Sequence, residues 1–186
     1  MNIKIREAVV ADAASIATIN INTWKIAYKG IIPQVYLDSL SIDEKIPRWK
    51  KTIAHLKENC KQIFVAEVSN LNKNEIVGFS VGGPSHFEKT RIDGELYAIY
   101  ILPAYWRQKI GTRLFYSMID YFLNRNYKDM IIWSLKDNPA CKFYKKMGGS
   151  PKFNKTLTYG GKELDTLGFY WGNLPDHSII FKNEKL

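Results

Sequence analysis

Residues 95–112 read ELYAIYILPAYWRQKIGT, and the reading of this stretch decides the rest. From Glu95 to Leu102 the residues are apolar on both faces, as in a strand covered on either side within a sheet. Pro103 ends that strand, and Trp106, Arg107, Gln108 and Lys109 form a basic loop before Gly111 and a helix from about Thr112. A buried strand that hands the chain to a turn and at once to a helix leaves free N–H groups and the positive end of a dipole together. Arg107 and Lys109 add formal charge there, and Gly111 permits close approach of backbone and ligand. The loop has the outline of a diphosphate site, and a solvated basic loop is the other reading of the same residues. The glycine–lysine–hydroxyl signature of a nucleotide-triphosphate loop is absent. A single glycine is too few for a dinucleotide fingerprint.

On the C-terminal side, Leu114, Phe115, Met118, Ile119 and Phe122 predict the buried stripe of a helix over Thr112–Asn124. Met130 to Leu135 follows as a strand, so the segment is a βαβ-like unit. Asn138 to Met147 predicts a short helix stopped at Gly148 and Gly149. Phe153 to Tyr159 and Leu164 to Tyr170 predict a hairpin around Gly160 and Gly161, and 175–186 a polar tail.

On the N-terminal side, Ile3 to Arg6 predicts a strand. Asp12 suits the cap of a helix to about Tyr28, with Ala13, Ala17, Ile21, Trp24 and Tyr28 on one face. Gly30 and Pro33 break it. Pro33–Leu40 and Asp43–Glu58 predict two further helices, the second with Ile46, Trp49, Ile53 and Leu56 as its stripe. Ile63 to Val68 and Ile76 to Gly82 are strands joined by a polar turn, Ser69 to Asn74. Without linker or repeat, 1–174 reads as one α/β (α+β mixed) domain.

At 186 residues and 46% hydrophobic composition the chain can bury a core. Its 27 Lys and Arg against 18 Asp and Glu give a formal charge of +9, which favours an anionic partner. The basic residues are spread out and no nucleic-acid recognition motif accompanies them, so nucleic acid is not the expected partner. No long uncharged apolar run marks a membrane span, and Met1 to Arg6 lacks the layout of a signal peptide. The expectation is a cytoplasmic protein. Cys60 and Cys141, with His55, His86 and His177 each isolated, show no metal-ligand spacing.

The stretch from Glu95 to Leu114, followed by NPACKFYKKMGG over 138–149, resembles the GCN5-related N-acetyltransferase (GNAT) family. In that family a central strand ends in two apolar residues and proline. A loop of pattern Gln/Arg-x-x-Gly-x-Gly/Ala follows, and a later helix carries Asn, Ala and Tyr at the spacing of Asn138, Ala140 and Tyr144. The order of elements is similar over nearly the whole chain, and residues 24–33 resemble a subset of the family. The chain departs from the loop pattern twice: Trp106 stands at the Gln/Arg position, and Lys109 replaces the first glycine.

The resemblance implies a mixed, mostly antiparallel twisted sheet with splayed central strands and helices on both faces. It implies an acetyl-coenzyme A-dependent N-acetyltransferase acting by direct attack of a primary amine. An acyl-coenzyme A-binding protein without turnover is the alternative. Tyr144 would protonate the departing thiolate, and Glu95 would be the general base acting through water. On strand alternation Glu95 shares a face with Ile99 and Ile101, unless a bulge resets the parity. The backbone over Ile99, Tyr100 and Ile101 would hold the acetyl and pantetheine groups, with Asn138 near that arm. Arg107, Gln108, Lys109, Ile110, Gly111 and Thr112 would hold the diphosphate. Trp24, Tyr28 and Tyr97 are candidates for the acceptor pocket, with core packing the alternative for Trp24. Cys141 has no histidine nearby to activate it as a nucleophile. No metal is expected. The apolar terminal hairpin is the candidate surface for a homodimer.

Overall fold

A computed structural model describes residues 2–70 and 73–175. Among these residues seven strands form one sheet in the order β1-β2-β3-β4-β5-β7-β6. They are β1 (Asn2–Glu7), β2 (Gln62–Asn70), β3 (Lys73–Pro84), β4 (Gly94–Ile101), β5 (Met130–Leu135), β6 (Ser150–Tyr159) and β7 (Lys162–Trp171). All neighbours are antiparallel except β4 and β5, which are parallel and joined through a helix as the βαβ reading requires. The helices are α1 (Ala13–Ala27), α2 (Gln34–Asp38), α3 (Ile42–Ala54), α4 (Ile110–Asn124) and α5 (Ala140–Lys146).

The apolar stripes fall where their periods put them. Leu114, Phe115, Met118, Ile119 and Phe122 of α4 are buried, most of them in a core with Leu96, Ile132, Phe169 and Trp171 on one face of the sheet. On the other face Ile16 and Ile19 of α1 and Ile53 of α3 pack with Ile63, Val65 and Phe79. Covered on both faces, the sheet has the mixed, helix-flanked architecture that the resemblance implies.

Helix boundaries differ from the periodic reading in physically traceable ways. The third helix stops at Ala54, with His55 as its cap, rather than reaching Glu58. Ser41 starts it by accepting the Glu44 N–H. Asp12 is not a simple cap. It closes a 3-10 turn, Val10–Asp12, where its carboxylate accepts the Val9 N–H at 2.9 Å and the Arg6 guanidinium at 2.7 and 2.9 Å. Helix α4 begins at Ile110, two residues before the expected start, so Gly111 lies inside its first turn. Helix α5 is shorter than Asn138–Met147 and is stopped by Gly148 at φ +85, a conformation that suits glycine. The polar turn at 69–74 has residues 71–72 outside the described residues. Of the predicted tail, 175–186, all but Pro175 lies outside them too.

A bulge and a parting set the geometry of the middle of the sheet. Between β3 and β4 the register moves from Val81↔Ala98 to Gly82↔Leu96, which leaves Tyr97 as an extra residue on β4. The pleat is therefore reset. Leu96, Ile99 and Ile101 meet the α4 face, whereas Tyr97, Ala98 and Tyr100 pack toward α1 and α3. Glu95, next to Leu96, falls on the α1 face, opposite to Ile99 and Ile101. Strands β4 and β5 pair only at Gly94↔Met130 and Glu95↔Ile131. Beyond Glu95 they part, while β5 stays paired to β7 along its whole length.

Candidate active site in the parting of β4 and β5

The parting opens into a cavity of about 1140 Å³. Its first wall is the free edge of β4. Leu102 N–H donates to the Val77 carbonyl at 2.9 Å, so Leu102, Tyr100 and Ala98 turn their main chain toward β3. By the same alternation, Ile99 and Ile101 turn their N–H and C=O groups toward β5, which is no longer there to pair. This leaves a short row of main-chain donors and acceptors facing the cavity. The main chain of Tyr100, in contrast, is used by β3.

At the open end of this row the chain enters α4. Ile110, Gly111 and Thr112 line the cavity as the first three helical residues, and their N–H groups have no intrahelical partner. A Cβ on Gly111 would stand 3.1 Å from the Ile101 Cδ1 and 3.6 Å from the Phe143 ring. Glycine is thus what lets the helix start lie against the strand end. Arg107 and Lys109 line the same end, both with left-handed backbone at φ 59 and φ 60. Gln108 is not in the lining; its side-chain amide donates to the Ala104 carbonyl at 3.2 Å. Lys142 and Lys146, one helical turn apart on α5, add two cations that the sequence reading did not single out, since nothing in a short helix marks which lysines face a cleft. Among the described residues the lining of the cavity carries one carboxylate, Asp137. Four cations, three free helix N–H groups and a single acid make this end suited to a polyanion.

The floor is a group of phenols. The Trp24 indole N–H donates to the Tyr100 hydroxyl at 2.8 Å. The hydroxyls of Tyr100 and Tyr28 interact, and the Asn138 side chain meets Tyr28 in turn. Asn138 is buried, and its Oδ1 also accepts the Ala140 N–H at 2.9 Å, fixing the start of α5. Tyr28, Tyr100, Asn138 and Tyr144 all line the cavity; Trp24 stands behind Tyr100 and packs edge-on against Tyr28 at 4.9 Å. Burial pushes the Tyr28 hydroxyl above the ordinary phenol value, opposed by donation from Tyr100 and Asn138. Burial, then the nearby Tyr28 and Cys141, holds Tyr144 far above it. The Tyr144 phenol therefore keeps its proton throughout the physiological range. Cys141 is buried with its thiol toward the Leu135 carbonyl at 3.3 Å, a core contact.

The far wall is Trp133 of β5, which sequence reasoning missed because the strand carries no pattern beyond apolarity. Phe87 meets its ring edge-on at 5.1 Å, and Lys155 Nζ lies 4.0 Å from its centroid. Tyr97 lines the cavity and its hydroxyl donates a hydrogen bond to the Pro84 carbonyl. Glu95 lies outside the lining, where its carboxylate accepts the His86 N–H at 3.1 Å. Thr23 of α1, 4% exposed, lines the cavity with a hydroxyl that has no hydrogen-bond partner among the described residues. Among the described residues no cluster of three or more His, Cys, Asp or Glu could hold a metal ion, and no helix is long and apolar enough to cross a membrane.

Comparison with known proteins agrees with this architecture. A profile of the Acetyltransferase (GNAT) family matches residues 30–149. The uncharacterized N-acetyltransferase YuaI of Bacillus subtilis is 31% identical over 172 residues, 92% of this chain and 94% of the relative. The PaiA N-acetyltransferase of Thermoplasma acidophilum, solved in complex with coenzyme A, superposes with a TM-score of 0.67 at 20% identity, covering 92% of this chain and 99% of that one. YncA of Salmonella typhimurium, solved with its cofactor acetyl-CoA, gives 0.68 at 18% identity, over 92% and 94% of the two chains. With a matched profile over most of its length and a relative above 30% identity across nearly the whole chain, this protein is a member of the GNAT acetyltransferase family.

Proposed function

We propose that the protein transfers the acetyl group of acetyl-CoA to a primary amine by direct attack within a ternary complex. The observation that carries this reading is the β4 edge that no strand pairs, running into the N-terminus of α4: an extended row of main-chain hydrogen-bonding groups ending in a cationic, N–H-rich turn. The residues fit coenzyme A. The edge at Ile99 and Ile101 suits the amides of an extended arm, and Ile110, Gly111 and Thr112 with Arg107 and Lys109 suit a diphosphate. Lys142 and Lys146 add charge for further phosphate.

When bound, acetyl-CoA supplies an acetyl thioester. The chain's own residues supply the rest. An N–H of the free β4 edge polarises a carbonyl oxygen placed against it and stabilises the charge that grows there as the amine nitrogen adds to carbon. As the carbon–sulfur bond breaks, Tyr144 gives its Oη proton to the leaving thiolate, and the amine nitrogen gives up one proton to a base. Glu95, outside the lining but on the face of the sheet that carries Tyr97, accepts that proton through water. Asn138 orients Tyr28 and the start of α5, and Tyr28, Tyr97 and Trp24 shape the acceptor side with Trp133.

The test is thiol release from acetyl-CoA with a panel of primary amines, with products identified by mass. An acetylated amine formed in step with thiol is the expected outcome. Stabilisation by coenzyme A without any product would favour the non-catalytic binding alternative. No stabilisation at saturating coenzyme A would overturn both.

A further inference from the structure

The diphosphate turn lacks the glycine that its conformation calls for. Arg107 at φ 59 and Lys109 at φ 60 both adopt left-handed backbone, which residues with a Cβ adopt only when their surroundings hold them there. Their cations have no ion-pair partner among the described residues. Something else fixes the turn.

Trp106 immediately precedes it. The residue is 47% exposed, which is unusual for so large an apolar group, yet its indole N–H donates to the Ile101 carbonyl at 2.7 Å. That carbonyl lies on the free edge of β4, where no strand competes for it, and a carbonyl oxygen can accept a second hydrogen bond. The Gln108 amide makes a second, longer tie to the Ala104 carbonyl at 3.2 Å. Together these bonds tie the entry and the middle of the turn to residues 101–104, where the chain leaves the strand.

We propose that Trp106 is a positioning residue for cofactor binding: its indole, stapled to the end of β4, presets the left-handed turn so that Arg107, Lys109 and the first N–H groups of α4 converge on a diphosphate. The inference rests on the reading of the cleft as a coenzyme A site. It accounts for how this chain keeps an anion-binding turn without the usual glycine, and it separates the two halves of the cofactor. The staple serves the diphosphate and not the pantetheine arm.

Two ligands therefore distinguish it: coenzyme A and pantetheine, which lacks the diphosphate. In Trp106→Phe, which keeps an aromatic ring and loses the donor, coenzyme A should bind about fivefold to tenfold more weakly, the loss of one hydrogen bond's effect. Pantetheine affinity should stay within about twofold, and the catalytic loss should fall on KM for acetyl-CoA rather than on kcat. Trp106→Gln, which returns a neutral donor, should recover most of the affinity. Tighter binding of both ligands by Trp106→Phe would show that the indole obstructs the groove and would overturn the proposal, as would unchanged coenzyme A affinity. Should the variant not fold, the indole N–H of the wild-type protein answers the question by NMR. Its protection from exchange should persist when coenzyme A saturates the site, and its loss would contradict a staple. If the wild-type protein binds no coenzyme A, the functional reading fails first and takes this one with it.

Discussion

Tyr144 has neither a donor nor an acceptor for its hydroxyl among the described residues, although it is 5% exposed and surrounded by Phe143, Phe169 and Tyr28. Such a phenol holds its proton tightly and has one direction in which to give it, the cavity. Tyr144→Phe keeps the ring and the core contacts, so turnover should fall by about 100-fold, the usual scale of one general acid, while coenzyme A affinity stays near wild type. Equal turnover in the variant would remove the phenol from the mechanism. Because burial keeps Tyr144 protonated, the pH profile of kcat should rise as the amine or its base deprotonates and show no fall through about pH 9 from loss of the acid.

At the scale of elements, β1 is joined to the start of α1 by charge. Arg6 bonds Asp12 at 2.7 Å and Glu67 of β2 at 3.2 Å. Burial alone would raise the Asp12 carboxyl, but the guanidinium and the Val9 N–H outweigh it and hold the group below its ordinary value of 3.8. A carboxyl depressed in the fold adds stability that is present above the unfolded value and lost as pH falls through the folded one. Asp12→Asn should therefore cost about 1.5–3 kcal/mol at neutral pH, the range for a hydrogen bond to a charged group, and the difference from wild type should shrink below about pH 4. Urea unfolding at neutral and acid pH checks it. A variant equally destabilised at both would assign the loss to packing rather than charge. The bulge at Tyr97 is an element-scale feature of a different kind. It turns Glu95 away from Ile99 and Ile101, and an alternating strand pattern cannot show it, because the extra residue is as apolar as its neighbours.

For the whole molecule, the sequence made the elements legible and their junctions less so. The 3.6-residue stripes of α1, α3 and α4 and the doubly apolar β4 name their own buried faces, because burial on one side or both is what imposes those periods. The parting of β4 from β5 leaves no such trace. It arises from main-chain pairing, and only the resemblance pointed to it. The same holds for the site. Gly111 announces close approach by its lack of a side chain, and Tyr144 and Asn138 stand at recognisable spacing. Trp133, Lys142 and Lys146 reach the cleft through tertiary packing, so nothing local marks them. Gln108 illustrates the converse: it sits inside the motif, yet its side chain is spent on the Ala104 carbonyl.

The main-chain groups freed by the parting carry the account, and their amides can be observed one at a time. Hydrogen exchange at Ile99 and Ile101, followed by NMR with and without saturating coenzyme A, is the most direct test. Protection at these two amides should rise by about tenfold or more, the linkage expected of groups that gain a partner, while Tyr100, already bonded to β3, changes little. Binding that left Ile99 and Ile101 exchanging as before would place the ligand elsewhere and contradict the claim.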